Sequence, residues 1–279
     1  MSISIIGLGF VGKAIYDCLL SKKLSKIYVY DKFKDNGIGT ITDCLESDIM
    51  FMCLPTVFNN LIKDYNLDPI IENLDILSKK NYKGIIVIKS TLTPGTTQYL
   101  QKKYKNLNLC HNPEFLSAKT AKEDFMNQKH IVLGKTENSD IDILYNFYNK
   151  YWPDAEISVC TSNESEALKL GCNCFYSVKI QFFNELFLMC NKQDMNYEKV
   201  RNMMLKNNWI NPMHTQVPGT DGKLSYGGLC FPKDTNALSN HLSRLDLPNK
   251  VLDATIDERN AMRRDNSNIE YNFKKLYLE

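Results

Sequence analysis

Short apolar runs alternate with longer stretches of helical period through the first half of the chain. Six runs read as strands: Ser2–Ile6, Ile27–Tyr30, Ile49–Leu54, Ile85–Lys89, Leu107–Cys110 and His130–Leu133. Between several of them, apolar residues recur at helical spacing, over Val11–Leu20, Ile70–Lys79 and Thr96–Tyr104. Strands alternating with helices predict a doubly wound α/β domain built on a mainly parallel sheet. After a last strand at Ile157–Val159 the pattern changes. Helical period then runs over about 164–191 and returns at Tyr197–Lys206, Asp234–Arg244 and Lys250–Met262. The stretch between Trp209 and Gly228 holds Pro212, Pro218 and four glycines and reads as loop. Residues 1–160 are therefore expected to form an α/β domain and residues 161–279 an α-helical one. The tail after Arg263 is polar and Asn-rich and is expected to fray.

Composition narrows the classes of function. The 279 residues are 43% hydrophobic and 24% charged, with a net charge of +2 and no long run of one sign. Nothing there predicts attraction to nucleic acid or membrane. No apolar run approaches the roughly 18 residues that a membrane span needs. The first residues, MSISIIGLGF, lack a basic segment and are interrupted by glycine, so they do not read as a signal peptide. Nine cysteines at irregular spacing fit reduced intracellular thiols, hence a cytoplasmic protein, better than a disulfide framework. Four scattered histidines and the lack of a CxxC or HxxxH pair predict no metal site.

The strand Ser2–Ile6 runs into Gly7, Leu8, Gly9, Phe10, Val11 and Gly12, a GxGxxG stretch that then opens a helix. That context makes it a dinucleotide-binding turn. Gly7 permits the turn, Gly9 lets backbone approach a pyrophosphate, and Gly12 lets helix pack on strand. The helix N-terminus offers its N–H groups to phosphate. Asp31, ending the second strand, suits a ribose 2′-hydroxyl and repels a 2′-phosphate, so NAD is favoured over NADP. Lys32 and Lys34 nearby soften that preference.

Four further segments place polar residues at strand ends or helix faces: CLPTV (53–57), KSTLTPGTT (89–97), NPEFLSAKTAKEDF (112–125) and EALKLGCNCFYSVKIQFFNE (166–185). Ligands of open α/β sheets sit at the carboxyl ends of the strands, so the three of these segments that follow strands should face the nicotinamide. Lys169 and Asn173 lie one turn apart on the long helix, where an ammonium and an amide can hold a developing oxyanion. The same spacing also occurs on ordinary solvated faces. Glu114 follows a strand and is a candidate general base, or simply an exposed loop glutamate. In GGLCFPKDT (227–235), Pro232 marks a helix start, so Cys230 lies at a helix N-terminus, where the dipole lowers a thiol pKa. Lys233, and Lys169 from the other helix, would lower it further. Taken alone, that stretch fits a buried inert thiol equally well.

Together, Gly7–Gly12, Lys89–Thr96, NPEFL (112–116), Lys169–Glu185 and GGLCFPKDT resemble, in order and spacing, the UDP-glucose/GDP-mannose dehydrogenase family. The resemblance implies a Rossmann-type NAD domain, then an all-α dimerisation and substrate domain of the 6-phosphogluconate dehydrogenase-like kind. It implies a homodimer, and oxidation of a nucleotide sugar at C6 to the acid with two NAD, UDP-glucose being the default substrate. Cys230 then corresponds to the nucleophile, and Lys169 and Asn173 to the oxyanion pair. Glu114 and Asp234 correspond to the carboxylates that handle water and protons, Thr91 to the threonine near nicotinamide, and Pro55, Thr56 and Ser90 to further cofactor contacts. Phe115, Leu116, His214, Tyr226 and Gly227 fall in segments expected to meet substrate. Three departures stand out. Ala118 replaces an acidic residue of the family, and His214 falls where an arginine reaches the partner's substrate. The family's C-terminal nucleotide-binding domain is expected to be missing. Two other readings stay open: a single-step β-hydroxyacid dehydrogenase, which shares the KxxxN pair and needs no thiol, and a NAD-binding module without catalysis.

Overall fold

The computed structural model describes residues 1–117 and 119–263. The expected fraying tail, and the Ala118 position, lie outside the described residues. The chain packs as two compact units. One comprises residues 1–56 and 65–170, the other residues 57–64 and 171–263, as far as described.

The first unit follows the predicted alternation. In chain order its elements are β1 (Ile3–Ile6), α1 (Phe10–Ser21), β2 (Ile27–Tyr30), the short α2 (Ile41–Cys44) and β3 (Ile49–Met52). A small ribbon of β4 (Phe58–Asn59) and β5 (Asp64–Tyr65) follows. Next come α3 (Asp68–Lys79), β6 (Ile85–Ile88), α4 (Thr96–Lys103), β7 (Asn108–His111), α5 (Ala121–Met126), β8 (His130–Lys135), α6 (Asp142–Tyr151) and β9 (Glu156–Thr161). The main sheet has seven strands in the order β2-β1-β3-β6-β7-β8-β9. All neighbouring pairs are parallel except β7 with β8, which pair antiparallel.

Both faces of this sheet are covered, which is why its strands read as continuous apolar runs rather than alternating ones. Ile3, Ile5, Phe51 and Val87 enter one core with Ile15 and Leu19 of α1 and with Phe147 and Tyr148 of α6. Ile6, Met50, Met52, Ile86 and Ile88 point the opposite way, against Leu74 and Leu77 of α3 and Leu100 of α4. The period-2 alternation is thus present in direction and absent in hydropathy.

Helices follow: α7 (Ser162–Lys192, 31 residues), α8 (Tyr197–Leu205), α9 (Phe231–Arg244) and α10 (Lys250–Met262). The division between the two units falls inside α7, after Leu170. In the second unit Phe183, Cys190, Tyr197 and Val217 form a buried cluster flanked by Leu186, Phe187 and Leu224. The β4–β5 ribbon belongs with this unit, and Arg244 of α9 ties to it through Lys63 O at 2.9 Å and Asp64 Oδ2 at 2.6 Å.

Candidate active site

The β1–α1 turn has no room for larger residues. Gly7 has φ +91°, and a Cβ there would lie 2.6 Å from Cys53 O, at the end of β3. A Cβ on Gly12 would lie 1.9 Å from Gly7 O. The N-cap of α1 is Gly9, no side chain caps the helix, and its first turn holds no acidic residue. That leaves a helix start open to an anion, as a dinucleotide pyrophosphate requires. The cradle therefore fits the cofactor expected for it.

Asp31 is more committed than its sequence position suggests. Its Oδ2 accepts from Leu8 N–H at 2.7 Å, and Oδ1 accepts from Phe33 and Lys34 N–H at 3.0 Å each. Burial works against its charge, but these hydrogen bonds and the Lys34 ammonium outweigh it and hold the carboxyl below its ordinary range. A carboxylate has about four acceptor positions, so one is left for a ribose hydroxyl. Both lysines have partners: Lys34 Nζ donates to Leu8 O at 2.9 Å, and Lys32 Nζ pairs with Glu72 at 2.6 Å. Their charges are directed to the fold, not simply to the ribose side as the sequence suggested.

The loops after β3 and β6 are stitched together. Thr56 Oγ1 donates to Thr91 O at 2.8 Å and Ser90 Oγ donates to Leu54 O at 2.5 Å. His111 bridges Ser165 Oγ (2.8 Å) and Ser90 O (3.2 Å), and burial pushes its pKa down to about 3. Thr91 and Pro55 are half-buried at this edge.

Glu114 is not an exposed loop glutamate. Its side chain is 8% exposed and Oε2 lies 2.9 Å from Nζ of Lys89, which is 2% exposed. Lys89 also donates to Asn112 Oδ1 at 2.8 Å, and Tyr148 OH donates to the same oxygen at 2.6 Å. Phe115 N–H donates to Glu114 Oε1 at 3.1 Å. The sequence reading assigned no role to Lys89. The lysine ends a predicted strand, and only the fold buries it against a carboxylate from the next one.

Glu166, three residues before Lys169, is a second carboxylate the sequence reading left without a role. It is fully buried and accepts from Gly95 N–H, Thr97 N–H (2.7 Å each) and Thr97 Oγ1 (2.6 Å), capping α4 from α7. Burial pushes its pKa up to about 7 despite those bonds. Lys169 Nζ lies 5.1 Å from the centre of the Phe115 ring, and Leu116 packs on the adjoining core.

In the second unit Asn173 Nδ2 donates to Asp234 Oδ2 at 2.6 Å. Asp234 is fully buried, and its Oδ1 pairs with Lys233 Nζ at 2.5 Å. Lys233, expected to act on the thiol, thus directs its ammonium to Asp234. Cys230 is the N-cap of α9, with a proline in the helix's first turn, and is half-buried. The helical period was expected from Asp234 and the proline put the start earlier; the helix begins at Phe231, in keeping with the proline.

His214 has φ +66° and lies against the rings of Tyr176 (4.9 Å between centroids) and Phe231 (5.6 Å). Burial, then the charge of Lys179, lowers its pKa, so it does not replace an arginine's permanent charge. Tyr226, expected to meet substrate, turns inward. It is 2% exposed, with its hydroxyl near Thr235 Oγ1 and Thr255 O. Gly227 lies against the Arg263 guanidinium. Among the described residues no group of three or more His, Cys, Asp or Glu could hold a metal ion. No described helix is long and apolar enough to cross a membrane.

A doubly wound dinucleotide-binding unit continued by a long helix into an α-helical unit defines the class of protein. Residues 39–152 match the NAD binding domain, and residues 163–261 the central domain, of the UDP-glucose/GDP-mannose dehydrogenase family. These matches take in more than half of the chain, and the chain belongs to that family. A UDP-glucose 6-dehydrogenase of Rickettsia bellii is 28% identical over 87% of this chain and 56% of its own length. A GDP-mannose 6-dehydrogenase of Pseudomonas aeruginosa is 25% identical over 96% of this chain and 69% of its own length. The chain thus spans little more than half the length of the Rickettsia relative. A solved UDP-glucose dehydrogenase of Pyrobaculum islandicum shares the fold, with TM-score 0.78 and 22% identity over 93% of this chain and 68% of that one.

Proposed function

We propose that this chain is an NAD-dependent nucleotide-sugar 6-dehydrogenase that oxidises UDP-glucose, or a related UDP- or GDP-sugar, to the uronate. The observation that carries the reading is the buried Asp234, bound by Asn173 and paired with Lys233, one turn from Cys230 at the N-terminus of α9. A cysteine that served only to fill a core would not need an ion-paired, amide-bound carboxylate behind it.

Bound NAD, held at Gly7–Gly12 and Asp31, supplies the hydride acceptor for each oxidation. The chain's own residues do the rest. After the alcohol is oxidised, Cys230 adds as thiolate to the aldehyde carbon and the carbonyl oxygen becomes an oxyanion. Lys169 and Asn173 hold that oxygen. The resulting thiohemiacetal again carries a transferable hydride, and its oxidation leaves a thioester on Cys230. Water attacks the thioester carbon, a carboxylate (Glu114 or Asp234) accepts its proton, and the acid leaves as the Cys230 sulfur departs. Covalent capture keeps the aldehyde from escaping. Each of these carboxylates has a lysine ammonium beside it, Lys89 for Glu114 and Lys233 for Asp234.

The reading includes a homodimer. Leu168, Phe175, Phe182 and Met189 recur at heptad spacing on α7 and are 39%, 63%, 53% and 45% exposed. A heptad apolar stripe is the pattern by which one helix packs on a copy of itself.

The test is incubation with NAD and a panel of UDP- and GDP-sugars, following NADH formed per sugar consumed. Two NADH per sugar, with acid formation abolished by Cys230→Ser, is the expected result. One NADH per substrate, with Cys230→Ser active, would instead assign a single-step β-hydroxyacid dehydrogenase. Tight NAD binding without turnover of any sugar would assign a non-catalytic module.

A further inference from the structure

The segment that delivers Cys230 is held from two sides, by α7 and by two arginines, Arg259 and Arg263, outside every motif discussed so far. Ser225, five residues before the cysteine, is buried and has φ +56°, a left-handed conformation that non-glycine residues rarely adopt. Such a residue persists only where its surroundings over-determine it. On one side α7 does so: Ser225 N–H donates to Asn184 Oδ1 (2.8 Å) and Ser225 Oγ donates to Gln181 Oε1 (2.6 Å). On the other side α10 does so with two buried arginines. Arg263 Nη1 donates to Ser225 O (3.1 Å) and Leu224 O (3.3 Å), while Nη2 pairs with Asp221 Oδ2 at 2.5 Å. Arg259 Nε donates to Tyr226 O at 3.3 Å. Arg259 and Arg263 are 5% and 7% exposed.

Gly227 shows how closely this clamp fits. A Cβ there would lie 2.5 Å from Arg263 Nη2, 2.7 Å from Cζ and 3.0 Å from Nη1. The guanidinium lies against the glycine, so a Cβ there would force it to shift against its own hydrogen bonds. Gly228 follows with φ +77°, and Cys230 then caps α9. The backbone from Asp221 to Gly227 is thus tied to α10 immediately before the thiol.

We propose that Arg263, seconded by Arg259, is a positioning residue that fixes the Cys230 thiol for capture of the aldehyde. A planar guanidinium reaches a carboxylate and two carbonyls in one fixed geometry, which an ammonium cannot reproduce. The arginine is buried against the backbone ahead of the thiol and acts through that loop. Because aldehyde capture is the step that needs the thiol in place, loss of the clamp uncouples the two oxidations. The first proceeds, and aldehyde escapes before the second. The inference rests on the reading of Cys230 as nucleophile.

The experiment measures NADH per sugar and free aldehyde, trapped with hydroxylamine, for the full chain with UDP-glucose or whichever panel sugar it oxidises. The variants are Arg263→Lys, Gly227→Ala and Cys230→Ser, each checked by circular dichroism. Arg263→Lys is expected to keep KM, and in both Arg263→Lys and Gly227→Ala kcat for acid formation is expected to fall by about a hundred-fold, the scale of a 1 Å misplacement. NADH per sugar should fall from two towards one, with trapped aldehyde making up the difference. A merely structural role would lower the amount of active protein without changing that ratio. If both folded variants keep two NADH per sugar, the clamp does not position the thiol and the inference is overturned. If Cys230→Ser still makes acid, the nucleophile reading itself fails, and the inference with it. Should Arg263→Lys not fold, Gly227→Ala decides, since it displaces the same guanidinium while keeping every donor.

Discussion

At the residue scale the site is built from charges that the fold hides rather than displays. Lys89 and Glu114 are both nearly inaccessible, and each carries a charge that water would otherwise solvate. Leaving one without the other is costly, about 3–5 kcal/mol for a buried pair broken on one side. Lys89→Met is therefore expected to lower the urea unfolding free energy by roughly that amount. Lys89→Met combined with Glu114→Gln should recover part of the loss. An unchanged midpoint in the single variant would show that the pair carries no such weight. The half-buried Lys233 pairs with the fully buried Asp234, one turn from Cys230, with the Asn173 amide fixing the carboxylate's other oxygen. Asn173 and Asp234 could be picked out from their spacing and motif, but not their bond to each other. Residues far apart along the chain meet only when α9 packs on α7.

At the element scale, α7 does more than present Lys169 and Asn173. Glu166 on the same helix caps α4, whose preceding loop carries Thr91. Burial raises the Glu166 pKa from 4.5 to about 7. Between those values the folded chain keeps a proton that the unfolded chain has released, so stability falls as pH rises through that window. The full difference is of the order of 3 kcal/mol, at about 1.4 kcal/mol per pKa unit. Glu166→Gln cannot titrate, and should flatten the decline in chemical-denaturation stability between pH 5 and pH 8. If wild type and variant show the same slope, another group is responsible. The helix start at Phe231 is equally an element-scale result. Pro232 marked a first turn, and a proline at that place needs no N–H partner, so the helix can begin ahead of it with Cys230 as its cap.

For the whole molecule, the proposed homodimer rests on one face of α7. A stripe of Leu168, Phe175, Phe182 and Met189 leaves large apolar area exposed along a helix of 31 residues. Phe182→Lys places a charge at its middle and is expected to shift the chain from dimer to monomer in sedimentation velocity. Circular dichroism should stay unchanged, because Phe182 is 53% exposed. A wild-type chain that already sediments as a monomer would remove the homodimer from the reading. The seven-strand sheet itself was legible almost strand by strand, since its central strands β3 and β6 are covered on both faces and apolar throughout. The antiparallel pairing of β8 with β7 was not legible, because pairing direction leaves no mark on an apolar run.

What the sequence by itself determined was local: strand and helix alternation, the glycine turn, the helix start behind Cys230, and the residue types that pointed to covalent oxidation. Each is set by neighbours along the chain, through backbone sterics, period and the demands of a helix end. Only the tertiary structure decided which charges are paired and which rings are hidden. It gave Glu114 to Lys89, Lys233 to Asp234 and the Asp31 carboxylate to the turn it follows, turned Tyr226 inward, and set Arg263 against the loop before Cys230. Those outcomes depend on burial, which makes a charge or a polar group seek whichever partner folding brings near. A polar residue's type declares what it can bond, and only packing declares what it must.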